Sequence, residues 1–550
     1  MSGSETPTGP SGASGREPTA PGRPEAIGVA GAGTMGAGIA QLACQSGART
    51  LLHDPDGQAL DRGLTSIRDH LERGVTRGRW SREEASDASE RLTAAARLED
   101  LAGCELVIEA APERLEVKRD LFERLSSVVG DHCVLATNTS SLLVTALAGA
   151  AAHPERVVGM HFFNPPVLMA LLEVVAGVES SDRALAVARS AGEAMGKHVI
   201  DAVDGPGFIV NRCNRPFGLE ALALLTERVA SIAEIDQACR LGGGFRMGPF
   251  ELMDLVGVDV GLDVARSFYE QSFGEPRWRP SPITVKTVAA GRLGRKSGRG
   301  YYEYPRDGEH RAPDPEPLSA GAGEGVVVIA GEGALAMQIC DAAERAGWQV
   351  ASPGEAQELA PPALILEIAL NGEEPEAPLQ GAPQAVCVAA GSLAVLDPGG
   401  SAVGFHALPP FSSTRLVELT RGPESAPSAI SAAETFFESL GKRTLWVDDA
   451  PGLVLGRIVC QVVNEAAFAL GEGLGSAEDI DAGMIHGLNY PRGILAWGDE
   501  IGLDHVLSVL EALSLERGEE RYRVAPLLRR LAWSGRLGRQ TGGAFFNYDE

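Results

Sequence analysis

The feature that most constrains this chain is an internal repeat. At a constant offset of 245 positions, His161, Glu173, Gly207, Asp236, Gly248, Asp254 and Asp259 pair with His406, Glu418, Gly452, Asp481, Gly493, Asp499 and Asp504. The sequence GRLGR also appears twice, at 291 and at 535. The chain has 550 residues, whereas a single hydrophobic core stops growing at roughly 250–300 residues. A repeat of this extent indicates a tandem duplication rather than one large fold.

The two copies differ in length. The glycine-rich loop GAGTMG begins at Gly31, and its weaker counterpart begins at Gly331, an offset of 300. The second copy has therefore lost 55 residues between its glycine loop and its histidine. The first copy keeps a basic, helical segment at this place, so we expect the two halves not to be functional equals.

Strands and helices alternate in the first copy, which is typical of an α/β fold with a mainly parallel sheet. Strands are predicted at 26–30, 49–54, 105–109, 133–137 and 157–163. Residues 58–98 are predicted to be helical throughout. Long helical patterns dominate beyond Pro206 and end in a GRLGRKSGRGYYEY segment near Tyr304.

Charge and composition narrow the range of partners. A net charge of −26 repels nucleic-acid backbones and anionic lipids, so we expect neither nucleic acid nor a membrane as a partner. The eight cysteines form no CxxC pair, which argues against a zinc ribbon; we predict no metal site and a reducing, cytoplasmic location. Residues 1–24 are rich in Gly, Pro and Ser without an apolar stretch, which predicts a flexible tail rather than a signal peptide.

The glycine loop sits between a strand and a helix, where it can bind a dinucleotide. Gly31 permits the tight turn, Gly33 lets the backbone approach a pyrophosphate, and Gly36 lets helix and strand pack closely. The helix N-terminus offers free N–H groups to the phosphates. Asp54, 18 residues after Gly36, is placed to accept both ribose hydroxyls, which favours NAD over NADP. The alternative is that Asp54 is only a turn residue before Pro55.

A histidine and a glutamate twelve residues apart form the second constellation. His161 ends an apolar strand, the Asn164-Pro165-Pro166 turn lets the chain double back, and the returning strand carries Glu173. A carboxylate on one ring nitrogen sets the tautomer and raises the basicity of the other nitrogen, as proton removal from a hydroxyl requires. The alternative is a strand-end histidine satisfied by the backbone.

Two polar segments are expected to converge on the same place. Residues 138–141 (NTSS) follow a strand at the edge where open α/β sheets bind ligands, although one of the two serines is alternatively a helix N-cap. Residues 206–212 (PGFIVNR) begin the helical region. Asn211 is polar on an otherwise apolar turn, and either capping or substrate contact would explain it.

Six motifs together resemble the 3-hydroxyacyl-CoA dehydrogenase family. They are GAGTMG, NTSSL, HFFNP with a glutamate, PGFIVNR, MGPFELMD and GRKSGRGYYEY, and residues 26–304 match in order and spacing. The resemblance implies a Rossmann domain followed by an all-α domain, repeated as a shortened degenerate Rossmann domain and a second all-α domain. The implied segments are a disordered tail (1–24), an NAD-binding domain with a coenzyme A-binding helical arm (25–205), a helical domain (206–304), a linker (305–324), a degenerate Rossmann-like domain (325–449) and a second helical domain (450–550).

The resemblance also implies roles for single residues. His161 would be the general base with Glu173 as its partner, while Ser140 and Asn211 would hydrogen-bond the substrate. NAD would contact Gly31, Gly33, Thr34, Met35, Gly36, Asp54, Glu113, Lys118, Ser140, Asn164 and Lys296. The phosphates of coenzyme A would meet Arg73 and Arg77 on the basic arm. Arg77 stands where the family has a lysine, and His70 stands where it has a serine.

The implied reaction is the NAD-dependent oxidation of an (S)-3-hydroxyacyl-CoA to a 3-oxoacyl-CoA, of the fatty-acid or aromatic-acid degradation type. The acyl chain length, and whether the substrate ends in a methyl or a second carboxylate, stay open. One alternative is a relative that oxidises a free hydroxy or sugar acid and would not need the basic arm. Another is a non-catalytic sensor of NAD and acyl-CoA, against which the intact His161–Glu173 pair counts.

The second copy keeps His406 and Glu418 but little else of the motif set. Gly456, Pro409 and Gln540 replace Asn211, Asn164 and Lys296. We therefore predict a structural role for this copy. Family members are generally dimers through the helical domain, so we expect an intrachain pseudo-dimer, or a homodimer, in which residues 206–304 pack against 450–548.

Overall fold

The computed structural model describes residues 22–370 and 381–548. The tail predicted for residues 1–24 lies almost entirely outside this part of the chain. Each copy contains one open sheet followed by a group of helices. The predicted fold class, a Rossmann domain and a helical domain repeated in shortened form, is confirmed. Across the described ranges, no helix has the length and apolar character needed to span a bilayer.

The first sheet has eight strands within the described residues, in the order β3-β2-β1-β4-β5-β6-β7-β8. All neighbours are parallel except β6 and β7, which pair antiparallel. The strands are β1 (Ala26–Ala30), β2 (Arg49–His53), β3 (Leu92–Ala95), β4 (Leu106–Glu109), β5 (Val134–Thr137), β6 (Val157–Phe162), β7 (Leu171–Ala176) and β8 (His198–Val203). The strand order reverses beside β1, so the carboxyl ends of β1 and β4 border the crevice where such sheets bind ligands.

Six helices accompany this sheet in the described residues. They are α1 (Thr34–Gln45), α2 (Gly57–Thr76), α3 (Arg82–Arg91), α4 (Leu115–Val128), α5 (Val144–Ala148) and α6 (Asp182–Ala194). The long α2 buries Leu60, Leu64, Ile67 and Leu71, which recur at helical spacing on one face. Ser81 and Glu84 form a capping box that starts α3 after the break in the arm.

The prediction of a continuous helical segment to residue 98 is wrong at its end. Residues 92–95 form β3, which pairs with β2 and buries Leu92 and Ala95. Residues 92–95 form a strand despite their helical pattern because the edge of the sheet beside β2 is free. Pairing with β2 satisfies the backbone hydrogen-bonding groups of this short run. The strand β8, which extends the sheet beyond β7, was not predicted at all.

The first helical region contains α7 (Val210–Cys213), α8 (Arg215–Glu227), α9 (Ile232–Gln237), α10 (Pro249–Val256), α11 (Val258–Gln271) and α12 (Pro282–Ala289). Asp236 links α9 to the start of α10, because its carboxylate accepts from the N–H groups of Phe250 and Glu251. Asp254 likewise accepts from Tyr301 and Tyr302 and closes the last motif onto α10. The repeated aspartates are therefore helix-linking residues.

The second copy repeats this plan with a seven-stranded sheet in its described part, ordered β10-β9-β11-β12-β13-β14-β15. Its strands are β9 (Val326–Gly331), β10 (Gln349–Ala351), β11 (Leu364–Ile368), β12 (Gln384–Cys387), β13 (Val403–His406), β14 (Leu416–Arg421) and β15 (Arg443–Trp446). Its helices are α13 (Ala334–Ala346), α14 (Leu393–Leu396), α15 (Pro427–Ser439), α16 (Leu455–Gly471), α17 (Ala477–Leu488), α18 (Ile494–Ile501), α19 (Leu503–Arg517) and α20 (Pro526–Trp533). Residues 352–363, whose backbone the structure describes, contain no counterpart of α2, α3 or β3.

The segment between the copies is docked on both of them. Asp314 accepts hydrogen bonds from the Arg240 guanidinium of the first copy, the closest at 2.9 Å. On the other side, Arg415 donates to the Pro315 carbonyl oxygen and Arg443 donates to that of Glu316, each at 2.7 Å. The predicted linker is therefore a strap that joins the two copies.

The two helical regions pack directly against each other, as the repeat predicted. Helix α8 lies along α16, and buried ion pairs join α7 and α8 to α16. Arg212 Nε donates to Glu465 at 2.9 Å, and Arg457 Nε donates to Glu220 at 2.9 Å. Since 457 and 465 are the repeat positions of 212 and 220, each pair is the image of the other. This is the pattern of a two-fold symmetric interface inside one chain.

Candidate active site

The glycine loop follows β1 and opens α1 at the crevice edge of the sheet. Gly31 has a φ of +116°, and a Cβ there would lie 2.5 Å from the Ala110 carbonyl oxygen, so only glycine fits. A Cβ at Gly33 would meet nothing within 4 Å, which leaves open space over the first turn of α1. Gly33 caps α1 without a side-chain hydrogen bond, so the first N–H groups are free for a phosphate.

Other predicted cofactor residues surround this loop. Thr34 is exposed and Met35 is half-buried in the first turn of α1, while Gly36 packs against the Gly31 carbonyl oxygen. Asp54 follows β2, and its carboxylate accepts from Ala32 N at 2.8 Å. The same carboxylate also accepts from Asp56 N at 2.9 Å. Asp54 therefore also has the turn role that was the alternative interpretation of this residue. These groups fit a dinucleotide, because the free N–H groups at the start of α1 would face its phosphates and the Asp54 carboxylate would face its ribose.

A buried cluster of charges lies beyond the next two strands. Lys118 Nζ is 2.7 Å from Glu109 and 3.2 Å from Glu113, and its side chain is only 1% exposed. Burial opposes ionisation of Glu113, but Lys118 and the hydrogen bonds below outweigh it, so the pKa of this carboxyl is lowered. Glu113 therefore presents a fixed negative charge at the crevice, and Lys118 offers almost no surface of its own.

Glu113 also organises the NTSS loop after β5. One of its oxygens accepts from the hydroxyls of Thr139 and Ser141 and from the N–H groups of Ser140 and Ser141, at 2.7–3.1 Å. The alternative that one serine is a helix N-cap is wrong, because Leu143 occupies that position of α5 without a side-chain cap. The Ser140 backbone is thereby held while its hydroxyl carries no recorded partner among the described residues.

His161 and Glu173 face each other across the antiparallel pair β6–β7. They are register partners, and His161 Nδ1 lies 2.6 Å from Glu173 Oε2. The carboxylate is fully buried and the imidazole is 5% exposed, with the Phe163 and Phe208 rings centred 4.6 and 5.7 Å away. Among the described residues, no partner is recorded for His161 Nε2. The geometry leaves that nitrogen as the position for a reacting proton.

Glu173 also holds the start of the helical region. Its second oxygen accepts from the N–H groups of Ile209 and Val210 at 3.1 and 3.0 Å. Asn211 follows immediately in α7 and is half-buried. One carboxylate thus fixes the imidazole and the helix turn that carries Asn211 in a single arrangement.

The remaining predicted residues lie at the margins. Asn164 is exposed two residues after β6, and Lys296 lies on the helical side, where its ammonium pairs with Asp259 at 2.6 Å. No contact with the other site residues is recorded for either in the described chain. His70, Arg73 and Arg77 are exposed along α2, and burial together with Arg73 lowers the pKa of His70.

Sequence reasoning missed two contacts, one that joins the helical region to the NTSS loop and one within the helical region. Gln271 on α11 donates to the Ser141 carbonyl oxygen at 2.7 Å, so α11 closes over the NTSS loop. Arg215 donates from Nε to the Asn211 carbonyl oxygen at 3.1 Å. The spacing of four residues between Asn211 and Arg215, which is the spacing of neighbours in a helix, was the available signal, although α7 ends and α8 begins between them.

The corresponding site of the second copy lacks the contact between its histidine and its glutamate. His406 and Glu418 are register partners, as are their counterparts, but no hydrogen bond joins their side chains. Both oxygens of Glu418 accept backbone N–H groups, from Val454 and Leu455, each at 3.0 Å. His406 Nε2 instead lies 3.0 Å from His505 Nε2. A Cβ at Gly456, the repeat position of Asn211, would fall on the His406 ring.

A parallel sheet with a glycine loop, a ribose-side carboxylate and a His–Glu pair beside it defines a Rossmann-type oxidoreductase with NAD as its cofactor. A family model described as "3-hydroxyacyl-CoA dehydrogenase, NAD binding domain" matches residues 26–205. A second, described as "3-hydroxyacyl-CoA dehydrogenase, C-terminal domain", matches both 207–304 and 452–548.

Individual proteins that are similar to this chain have names that match the descriptions of the two family models. The chain is 36% identical over 508 residues to a 3-hydroxyadipyl-CoA dehydrogenase of Escherichia coli, covering 92% of this chain and 97% of that protein. It is 40% identical over 278 residues to a 3-hydroxybutyryl-CoA dehydrogenase of Bradyrhizobium diazoefficiens, covering 50% and 94%. A crystal structure of a 3-hydroxybutyryl-CoA dehydrogenase from Escherichia coli K12 superposes with a TM-score of 0.78 at 34% identity, covering 93% and 99%. The chain belongs to the 3-hydroxyacyl-CoA dehydrogenase family of NAD-dependent oxidoreductases.

Proposed function

We propose that this chain oxidises (S)-3-hydroxyacyl-CoA thioesters to 3-oxoacyl-CoA, with His161 as the general base and the first copy as the working half. The observation that carries the proposal is the 2.6 Å contact between His161 Nδ1 and Glu173. A proton held on Nδ1 by the carboxylate leaves Nε2 as an acceptor for the 3-hydroxyl proton.

The other residues position the reactants. Bound at the glycine loop and Asp54, NAD supplies the hydride acceptor at C3 of the substrate. Ser140 and Asn211 are assigned to hydrogen bonds with the acyl group, since the Glu113 network and the Glu173 carboxylate hold their backbones. Glu113, Asn164 and Lys296 complete the cofactor side in this proposal, and the buried Lys118 acts there by holding Glu113.

Helix α2 is assigned to the coenzyme A moiety. Arg73 on this helix and Arg77 directly after its last residue lie exposed within a chain of net charge −26, which makes them a local cationic site for phosphate groups. A relative that oxidises a free hydroxy or sugar acid would have no use for this arm. The second copy lacks the arm and has lost the His–Glu contact, so its role here is structural.

The names of the relatives point to different acyl groups in the substrate. The Escherichia coli protein is named for a substrate with a second carboxylate, and the Bradyrhizobium protein is named for a four-carbon monocarboxylic one. The function proposed at this level is therefore the 3-hydroxyacyl-CoA class, without a chain length.

The test is the reduction of acetoacetyl-CoA by NADH, followed at steady state. His161→Ala and Glu173→Gln are expected to lower kcat by about 10²–10⁴-fold, the usual contribution of a positioned general base, while NADH binding measured by fluorescence is retained. The matched control is His406→Ala at the repeat position, which should leave kcat per folded molecule unchanged. Activity within a few-fold of wild type in His161→Ala would overturn the assignment. Binding of NADH and acetoacetyl-CoA without turnover by the wild type would favour a sensor.

A further inference from the structure

Arg215 is a cation placed one helical turn beyond Asn211. It opens α8, is partly buried, and donates from Nε to the Asn211 carbonyl oxygen at 3.1 Å. Its guanidinium carbon lies 5.1 Å from the centroid of the Phe268 ring on α11. Helix α11 also reaches the NTSS loop through Gln271, so Arg215 stands where α8 and α11 border the proposed substrate site.

Arg215 differs from the buried arginines of the helical regions in having no counter-charge. Arg212, Arg277 and Arg457 each pair with buried glutamates at 2.6–2.9 Å. For Arg215, no carboxylate lies within 4.0 Å anywhere in residues 22–370 or 381–548, and the two terminal nitrogens have no recorded partner there.

A partly buried cation without a counter-charge has lost part of its hydration, and no carboxylate of the described residues offsets that loss. Burial lowers the pKa of Arg215 to about 10, which still leaves the guanidinium charged at neutral pH. The planar guanidinium offers paired donors that match a carboxylate, and an anion that approached it would recover the missing electrostatic energy. The site therefore suits a negatively charged group that arrives with a ligand.

We infer that Arg215 binds the terminal carboxylate of a dicarboxylic acyl chain and so makes this enzyme selective for 3-hydroxy-dicarboxylyl-CoA substrates. The inference rests on the proposed function, because it takes Asn211 and His161 to surround C3. Asn211 on α7 and Arg215 at the start of α8 are four positions apart, and Asn214 between the two helices keeps right-handed helical backbone, so the rise between them is about 6 Å. In a six-carbon chain, three carbon–carbon bonds of about 1.5 Å each separate C3 from the terminal carboxyl carbon. The Arg215 side chain spans the remaining distance between this carboxylate and helix α8.

The second copy supports a ligand role over a role in folding. The repeat position of Arg215 is Cys460, a buried thiol on α16. The neighbouring interface arginine is kept in both copies, as Arg212 and Arg457, whereas the arginine beside the site is present only where the His–Glu contact is intact. The same helix packing is therefore built without a cation at this position.

The experiment compares 3-hydroxyadipyl-CoA with 3-hydroxyhexanoyl-CoA, which has six carbons and no second carboxylate, as substrates with NAD. In the wild type, kcat/KM is expected to favour the adipyl thioester. Arg215→Met should lower the ratio of the two kcat/KM values by roughly 10–100-fold, the range for loss of a charge-assisted hydrogen bond, mainly through the adipyl substrate. Arg215→Lys, which keeps the charge without the fork, should recover part of the ratio.

The control is Arg266→Met, which removes a half-exposed arginine from α11 and should leave the ratio unchanged. An unchanged ratio in Arg215→Met, an equal loss with both substrates, or a wild type that prefers the hexanoyl thioester would each overturn the inference. Failure of the wild type with both substrates and with acetoacetyl-CoA would instead overturn the proposed function, so the two failures are distinguishable.

Discussion

His161 and His406 occupy the same register position in two related sheets and have opposite environments. His161 meets a buried carboxylate, whereas His406 meets a second imidazole, that of His505. Glu418, left without the histidine, is enclosed, and burial raises its pKa to about 8. Retention of both residue types in the sequence is therefore no guarantee of a working pair.

The pair of His406 and His505 makes the second copy sensitive to acid. Burial lowers the pKa of His505 to about 4, and burial and His505 together hold the pKa of His406 well below its usual range. Unfolded histidines take up protons near pH 6.5, which the folded pair resists, so stability is present above pH 6.5 and is lost as the pH falls toward 4. From pH 7 to pH 5, His505 alone should lower the free energy of unfolding by about 2 kcal/mol.

Urea unfolding at the two pH values measures this loss. The variant His406→Leu with His505→Val replaces both partners by apolar groups and should show a smaller difference between pH 7 and pH 5 than the wild type does. An equal pH dependence in the two proteins would contradict the assignment of the acid sensitivity to this pair.

At the residue scale, the sequence predicted contacts between near neighbours and missed those between distant ones. The alternation of strand faces and a tight turn are enough to oppose His161 and Glu173. The loss of the second pair depends on Gly456 and His505, which are 50 and 99 positions from His406. Their approach is set by helix packing, which local patterns do not encode.

At the scale of elements, helix α17 of the second copy lies under β7 of the first, the strand that carries Glu173. It contacts α7, β7 and β8. Two glycines four positions apart, Gly483 and Gly487, allow this approach, since a Cβ on Gly483 would lie 2.9 Å from Val210 Cγ2. Val210 is also the residue whose N–H group donates to Glu173. The second copy thus supports the His161–Glu173 pair of the first copy, although its own histidine and glutamate are no longer in contact.

Gly483→Val is expected to displace α7 and with it Asn211. Overpacking of this kind costs about 1–3 kcal/mol of stability, and a shift near 1 Å in a positioning element lowers kcat by up to about 10²-fold. Steady-state kinetics and urea unfolding measure the two effects. The matched control is Gly261→Val on α11, where a Cβ would meet nothing within 4 Å. Normal kcat in a folded Gly483→Val protein would show that α17 does not position the site.

The elements themselves were predicted unevenly. Strands with buried apolar runs, such as β1 and β6, were predicted within a residue or two. The edge strands β3 and β8 were not, because β3 follows a helical pattern without a break and β8 mixes exposed and buried positions. Edge positions depend on a neighbouring strand being available, which is a property of the assembled sheet.

At the scale of the whole molecule, the ion pairs that join α7 and α8 to the α16 region repeat as images of each other. Glu472 joins Arg212 at 2.7 Å, and its repeat partner Glu227 joins Arg457 at 2.7 Å. Both arginines are almost fully buried and each pairs with two glutamates, so removing both glutamates of one arginine would leave an unpaired buried cation, at a cost of about 3–5 kcal/mol. A surface that pairs with its own repeat is self-complementary.

Because the interface is self-complementary, residues 22–304 expressed alone should form a homodimer. Arg212 of one chain would then meet Glu220 of the other, as Arg212 meets Glu465 in the full chain. Light scattering is expected to give twice the mass of residues 22–304, and acetoacetyl-CoA reduction should persist because each half-chain carries a complete site. Glu220→Arg in the same half-chain sets like charges against each other and should give monomers. A folded, active monomer of the unaltered half-chain would show that the second copy contributes more than a substitute for a symmetric partner.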